Sequence, residues 1–197
     1  MNNNDTKNSK YTERLNNLYF KRWKKILMVQ KPYTWNIRRL NLGKTIDLGC
    51  GIGRYLEVLR EGSVGIDHNI SSINQIRSNG LAAFTPAQFK NSKYNKQKFD
   101  SILISHVLEH MSVKESLTLI SNYLPNLKKG GKVIIICPQI KGYLSDASHV
   151  TFLDNKKLKR IANSSKLVVH KQYSFPFPSY IGKFFKYNEY ITVAIKY

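Results

Sequence analysis

Acidic residues are scarce in this chain. Only 12 Asp and Glu stand against 32 Lys and Arg, a formal net charge of +20 over 197 residues. That balance points to an anionic partner: nucleic acid, a phosphorylated substrate or a membrane surface. A compositional reading stands beside it, because the chain is also rich in Asn, Ile, Tyr and Phe, as A/T-rich coding favours. Such a bias does not account for the shortage of acids. Cysteine is almost missing too. Cys50 and Cys137 are the only two, so no disulfide framework is implied and a reducing, cytoplasmic setting is expected. No run of about 18 apolar residues occurs, which excludes a spanning helix. The Asn- and Lys-rich start has no apolar signal core, so no secretory signal is expected.

What is present is a chain long enough for one domain with a proper core. Residues 1–42 read as an N-terminal tail and a basic helical extension, a candidate lid, and residues 43–197 as the main domain. Within the extension, Leu15, Leu18, Tyr19, Trp23, Ile26 and Leu27 recur at helical spacing among lysines and arginines. The spacing predicts a helix over 11–30, ended by Lys31-Pro32, then a short second helix around Trp35, Ile37 and Leu40. Such a basic amphipathic helix suits peripheral membrane contact, nucleic acid or simple docking on the core.

From Thr45 onward, strand and helix patterns alternate. Strands are expected at 45–48, 64–66, 81–84, 99–105, 132–137, 167–173 and 189–196. Helices are expected at 53–60, 70–78, 109–124 and after Asp154 through Ala162. Residues 86–98, with Lys90, Lys93, Lys96 and Lys98, read as a loop or short helix. Residues 138–151 form a long loop, of the kind that builds binding sites. Alternation with apolar strands means an α/β fold around a parallel sheet covered on both faces.

The organising stretch is Ile46–Leu56, IDLGCGIGRYL. It places a strand, then Gly49, Gly51 and Gly53, then a helical pattern. The spacing is G-x-G-x-G. The dinucleotide fingerprint needs a third glycine at position 54, where Arg54 stands, and no phosphate-loop G-x-x-x-x-G-K-[ST] occurs. Asp47 in the turn would repel a pyrophosphate. Asp67 ends the second strand, where an acid accepts ribose hydroxyls. A positively charged nucleoside without phosphate meets these conditions, and S-adenosylmethionine is one.

At these residues the chain resembles the class I S-adenosylmethionine-dependent methyltransferases, in particular the group that includes small-molecule enzymes of quinone and sugar metabolism. IDLGCGIGRYL is similar to that family's first motif and VGIDHN to its second. FDSILISHVLEHM resembles the fourth-strand motif, LKKGGKVIIICP the fifth-strand segment and HVTFLDNKKLKRI the stretch before the last major helix. The resemblance covers roughly residues 45–162. It implies a Rossmann-like three-layer sandwich whose seven-stranded, mostly parallel sheet has the order 3-2-1-4-5-7-6 with an antiparallel last strand. It also implies S-adenosyl-L-methionine as cofactor and S-adenosyl-L-homocysteine as product. Asp47, Gly49, Cys50, Gly51 and Gly53 would hold the methionine part and Asp67 the ribose, with His68 beside the adenine. Ser105 and His106 would touch the methionine end. The family's usual acid after the third strand is replaced by Pro86, which leaves Gln88 or a backbone group near Ala87 to meet the adenine.

Methyl transfer to a hydroxyl needs a base. His149, in the long loop after the fifth strand, is the first candidate and His106 the second. Asp146, Tyr143 and Tyr180 are candidate acceptor contacts. His106, Glu109 and His110 also match the zinc-peptidase pattern H-x-x-E-H. That stretch straddles a strand end and a helix start, and the sequence reveals no third ligand, so no metal is expected. Cys137 is expected to be a core residue rather than a nucleophile. The expected activity is methyl transfer to an oxygen of a small molecule or of a glycan or lipid precursor. An RNA methyltransferase is the second reading, and a non-catalytic cofactor-binding or scaffold protein the third.

Overall fold

The computed structural model describes the backbone from residue 23 and side chains from residue 30, through Tyr197. The part of the expected lead-in helix before Trp23 lies outside the described residues. The chain divides into two compact units, Met1–Gln97 and Lys98–Tyr197.

In the first unit, helix α1 spans Trp23–Arg39 and carries Pro32 inside it. The expected stop at Lys31-Pro32 and the separate second helix are therefore corrected to one continuous helix. Proline removes one intrahelical donor, and the helix continues nonetheless. The Thr34 hydroxyl donates to the Gln30 carbonyl (3.1 Å) across this turn, and Tyr33 and Ile37 are buried.

Strand β1 is Thr45–Leu48 and β2 is Val64–Ile66, paired in parallel with Asp47 opposite Gly65. The α-helix expected over 53–60 is instead a single 3-10 turn, Leu56–Val58. Gly53 sits at φ +83°, outside the helical region, and Leu59 is already extended, so the chain has no room for a longer helix. Helix α2, Ile70–Ser78, is capped by Asn69, whose side chain accepts from the backbone N–H groups of Ser71 and Ser72. Strand β3 shrinks to Ala83–Phe84. Helix α3, Pro86–Lys90, begins with a Thr85–Gln88 capping box, and Pro86 takes the first-turn position that proline favours. The core of this unit gathers Cys50, Leu56, Ile73, Ile76 and Ala83.

In the second unit, β4 (Phe99–Ser105) runs parallel to β5 (Leu127–Pro138). Between them lie a 3-10 turn, Leu108–His110, and helix α4, Val113–Tyr123. The single helix expected over 109–124 is thus broken. Ser112 forms a capping box with Glu115 and starts the true helix there. Its buried face is Ser116, Ile120 and Tyr123, while Leu117 and Leu124 are only half-buried. The loop after β5 carries a short helix α5, Ile140–Tyr143, and Asp154 caps α6, Asn155–Ser164. Strands β6 (Leu167–Phe175) and β7 (Glu189–Lys196) complete the chain, and β7 pairs antiparallel with both β5 and β6. The four consecutive apolar residues Val133–Ile136, all buried, read as a strand covered on both faces. The seven-stranded sheet has the order β3-β2-β1-β4-β5-β7-β6, as the resemblance implied. No helix among the described residues is long and apolar enough to cross a membrane.

Candidate active site

The glycine turn is built from β1 and β2. Gly49, Gly51 and Gly53 all adopt positive φ (70°, 54° and 83°), which only glycine takes without strain. The backbone N–H groups of Gly49 and Cys50 both donate to the Ile66 carbonyl, at 2.7 and 3.2 Å. The Gly51 N–H donates to Asp67 Oδ2 at 2.9 Å, and Asp67 Oδ1 accepts the Asn69 N–H at 2.8 Å. Asp67, expected to hold the ribose, therefore also braces the turn. Cys50 packs over Gly65, where a Cβ would stand 2.6 Å from its sulfur. Burial, then Asp47 and Asp67, push the Cys50 thiol well above its usual pKa, so it is a packing group and not a nucleophile.

Asp47 is 2% exposed, and no hydrogen bond or ion pair engages its carboxylate among the described residues. Burial pushes its pKa up to about 7, Arg54 pulls it down and Asp67 pushes it further up. A carboxylate taken out of water without a partner is costly, so this site favours a ligand bearing positive charge or N–H donors. His68 is half-exposed, with Nδ1 3.6 Å from Asp67 Oδ1. Ala87 lies in α3. Gln88 Oε1 already accepts from the Thr85 N–H (3.1 Å) and from Arg77 (2.9 Å), which occupies both of its lone pairs.

The second unit holds the remaining candidates. Ser105 ends β4, and its hydroxyl is buried without a hydrogen-bond partner. His106 follows in the left-handed region, φ +57°. Its Nδ1 meets Glu109 Oε1 at 3.2 Å and its Nε2 meets Glu189 Oε1 at 2.7 Å. Burial disfavours its charge, but the bonds to the two carboxylates win and push its pKa up to about 10. Glu109 is 1% exposed and its pKa is lowered: burial opposes this, and the bond to His106 outweighs burial. With both nitrogens protonated, His106 has no lone pair with which to act as a base at neutral pH. Cys137 is fully buried, and burial followed by Glu109 raises its pKa well above normal.

His149 is held by its backbone neighbours. The N–H groups of Val150 and Thr151 both donate to the Glu109 carbonyl, at 2.7 and 3.0 Å. The His149 ring stacks on Tyr143 at 5.4 Å, and its Nδ1 donates to the Tyr143 carbonyl at 2.7 Å. The Asp146 side chain bonds within the loop. Its Oδ1 accepts from the Ser148 hydroxyl (2.7 Å) and N–H (3.0 Å), and Ser148 in turn contacts His110. Tyr180 lies in a 3-10 turn, Ser179–Lys183, and is 65% exposed.

One juxtaposition was not visible in the sequence. A carboxylate oxygen of Glu109 and one ring nitrogen each of His110 and His149 lie within 4.8 Å of one another. The third partner missing from H-x-x-E-H thus arrives from the loop, and it joins Glu109 and His110 rather than His106. The long loop itself was the only signal that could have found it.

The sheet order and the glycine turn define the fold of class I S-adenosylmethionine-dependent methyltransferases. Residues 41–181 match a family model described as a methyltransferase domain, and the chain belongs to that family. Among solved structures, it is similar to a SAM-dependent methyltransferase from Archaeoglobus fulgidus at 18% identity, covering 87% of this chain and 99% of that one, with a TM-score of 0.66. It is similar also to magnesium protoporphyrin IX methyltransferase from Synechocystis PCC 6803 with bound SAH, at 15% identity, covering 98% and 97%, with a TM-score of 0.67. An O-methyltransferase family protein from Burkholderia thailandensis matches at 13% identity over 85% of this chain and 56% of that one, TM-score 0.62. No curated protein matches in sequence.

Proposed function

We propose that this methyltransferase uses S-adenosylmethionine to methylate an oxygen of a small molecule or of a glycan or lipid precursor. The observation that carries the reading is Asp47, a buried carboxylate without a partner beside a turn of three left-handed glycines. When bound, S-adenosylmethionine supplies a methyl group on a cationic sulfur, already activated for transfer. Asp47 and the backbone of Gly49, Gly51 and Gly53 would hold the methionine part. Each oxygen of Asp67 accepts one backbone bond and keeps a second lone pair for a ribose hydroxyl. His68 would flank the adenine. Gln88 is engaged elsewhere, so a backbone group near Ala87 is left to meet the adenine edge.

On the acceptor side, the Nδ1–H donation to Tyr143 fixes the His149 tautomer and leaves Nε2 with a lone pair. His149 would take the acceptor proton there, while His106 is a fixed cation. Tyr143 orients His149 by stacking, and Tyr180 offers an exposed ring to an acceptor. Asp146 would steady this loop through its bonds to Ser148.

Calorimetry with S-adenosylmethionine tests the reading. Binding that Asp67→Ala abolishes supports it, and no binding by the wild type sinks it. Transfer of a radiolabelled methyl group to a panel of hydroxyl acceptors then decides between an enzyme and a scaffold. An RNA substrate would show itself by affinity that falls steeply with added salt.

A further inference from the structure

We propose that Glu109, His110 and His149 form a binding site for a first-row divalent metal ion, with zinc as the best match. Three atoms of the right chemistry already lie within 4.8 Å of one another. Around zinc, ligand bonds of about 2.1 Å set neighbouring ligand atoms roughly 3.4 Å apart. The ion would draw these atoms together by about 1.4 Å at most.

The hydrogen bonds around the cluster prepare both imidazoles as ligands. His149 Nδ1 faces a carbonyl, Tyr143 O at 2.7 Å, so it must carry the proton. His110 Nδ1 faces the Ser148 carbonyl at 3.3 Å and the Ser148 hydroxyl at 3.2 Å. That hydroxyl spends its single hydrogen on Asp146 Oδ1, 2.7 Å away, so His110 is the donor here as well. Each ring therefore gives its Nδ1–H to the backbone and keeps a lone pair on Nε2. Metal-binding histidines are oriented and made more basic in this way.

The carboxylate is prepared as well. Glu109 Oε1 is spent on His106. Its Oε2 is buried with no hydrogen-bond partner, and the neighbouring Cys137 thiol is at best a weak donor. Two imidazoles and a carboxylate, with coordination positions left open, suit zinc or iron(II) and not magnesium or calcium.

Metal binding stands without reference to any acceptor. Its catalytic role rests on the oxygen-methylation reading above. An acceptor hydroxyl on the ion would lose its proton to water. The new O–CH3 bond would then form as the sulfur–methyl bond breaks. With the ion bound, the Nε2 lone pair of His149 is spent as a ligand, and the ion would replace the histidine's role as base by lowering the acceptor's pKa.

The test uses the full chain without a polyhistidine tag, stripped with chelator and titrated with ZnCl2 by calorimetry. One equivalent should bind, and His110→Asn and His149→Asn should each weaken it by more than about tenfold. Both variants should keep S-adenosylmethionine affinity, which separates this proposal from the cofactor reading. Cobalt(II) loaded into the wild type should give the intense visible absorption of a four- or five-coordinate site, a readout that needs no variant. Failure of the wild type to bind zinc, unchanged zinc affinity in both variants, or a cobalt spectrum like that of the aqueous ion overturns the proposal.

Discussion

Glu189 Oε1 lies 2.7 Å from His106 Nε2 across 83 residues of sequence. The bond joins the first residue of the last strand to the residue that follows β4. Glu109 closes the other side of the ring. Two carboxylates, 6% and 1% exposed, thereby share one imidazolium. His106→Ala should destabilise the protein by about 3–5 kcal/mol, because it strands buried charge. Glu189→Gln keeps a hydrogen-bonding partner and should cost clearly less. Urea denaturation of the three proteins measures the difference.

Asp47 makes cofactor affinity depend on pH. Its carboxyl titrates near 7 in the folded chain against an ordinary value of 3.8, so the fold holds an extra proton between those values. Stability without ligand should fall as pH rises from 4 to 7, by on the order of 4 kcal/mol at most. A cationic ligand favours the ionised form, so binding should release a proton below pH 7. Affinity for S-adenosylmethionine should then rise with pH, by up to about tenfold per unit, and level off above 7. Asp47→Asn should weaken binding, flatten this rise and steady the unliganded protein at pH 8. Comparing the two proteins cancels the cofactor's own titration. Calorimetry and thermal melts across pH 5–9 read both effects.

Gly53 cannot be replaced quietly. A Cβ there would stand 2.8 Å from Ile76 Cγ1 in a backbone region of φ +83°. Gly53→Ala should cost about 2 kcal/mol or more from strain and overpacking together. Its cofactor affinity should fall with it, because Ile76 belongs to the core beneath the turn. Chemical denaturation alongside binding calorimetry checks this.

Asn188 anchors the aromatic segment between β6 and β7. It is fully buried, accepts the Phe177 N–H (3.0 Å), and its amide donates to the Phe177 and Pro178 carbonyls and to Gln139 Oε1 (3.1, 3.2 and 3.2 Å). Asn188→Ala leaves several of these groups unpaired and should cost about 2–3 kcal/mol. Amide exchange should quicken over residues 177–185 in particular, leaving β4 and β5 protected. Uniform acceleration across the chain would contradict a local anchor.

Periodicity and punctuation carried most of the fold. β4, β7 and α2 have the bounds that their patterns imply, because each is a local run closed by a local signal: Asn79-Gly80 after α2, an apolar block in β4 and alternation in β7. The errors came where one local rule met another. Pro32 reads as a stop, yet α1 runs through it with Tyr33 and Ile37 buried. Gly53 reads as a helix start, yet its left-handed φ forbids one. At the site, the residue types were legible in the motifs and their partners were not. Val150 and Thr151, which follow His149, reach the Glu109 carbonyl through backbone bonds across 41 and 42 residues of sequence, and Glu189 reaches His106 across the sheet order. No periodicity encodes either meeting.

The two backbone bonds from Val150 and Thr151 to the Glu109 carbonyl separate what the loop must keep from what it can change. They depend on main-chain atoms and hold His149 in place whatever side chains stand beside it. Leu144 and Val150 are 72% and 64% exposed and free to drift. Mutation can therefore reshape the exposed part of the loop one residue at a time while His149 stays in register. A scaffold of this kind can exchange one acceptor for another over evolutionary time without rebuilding its chemistry.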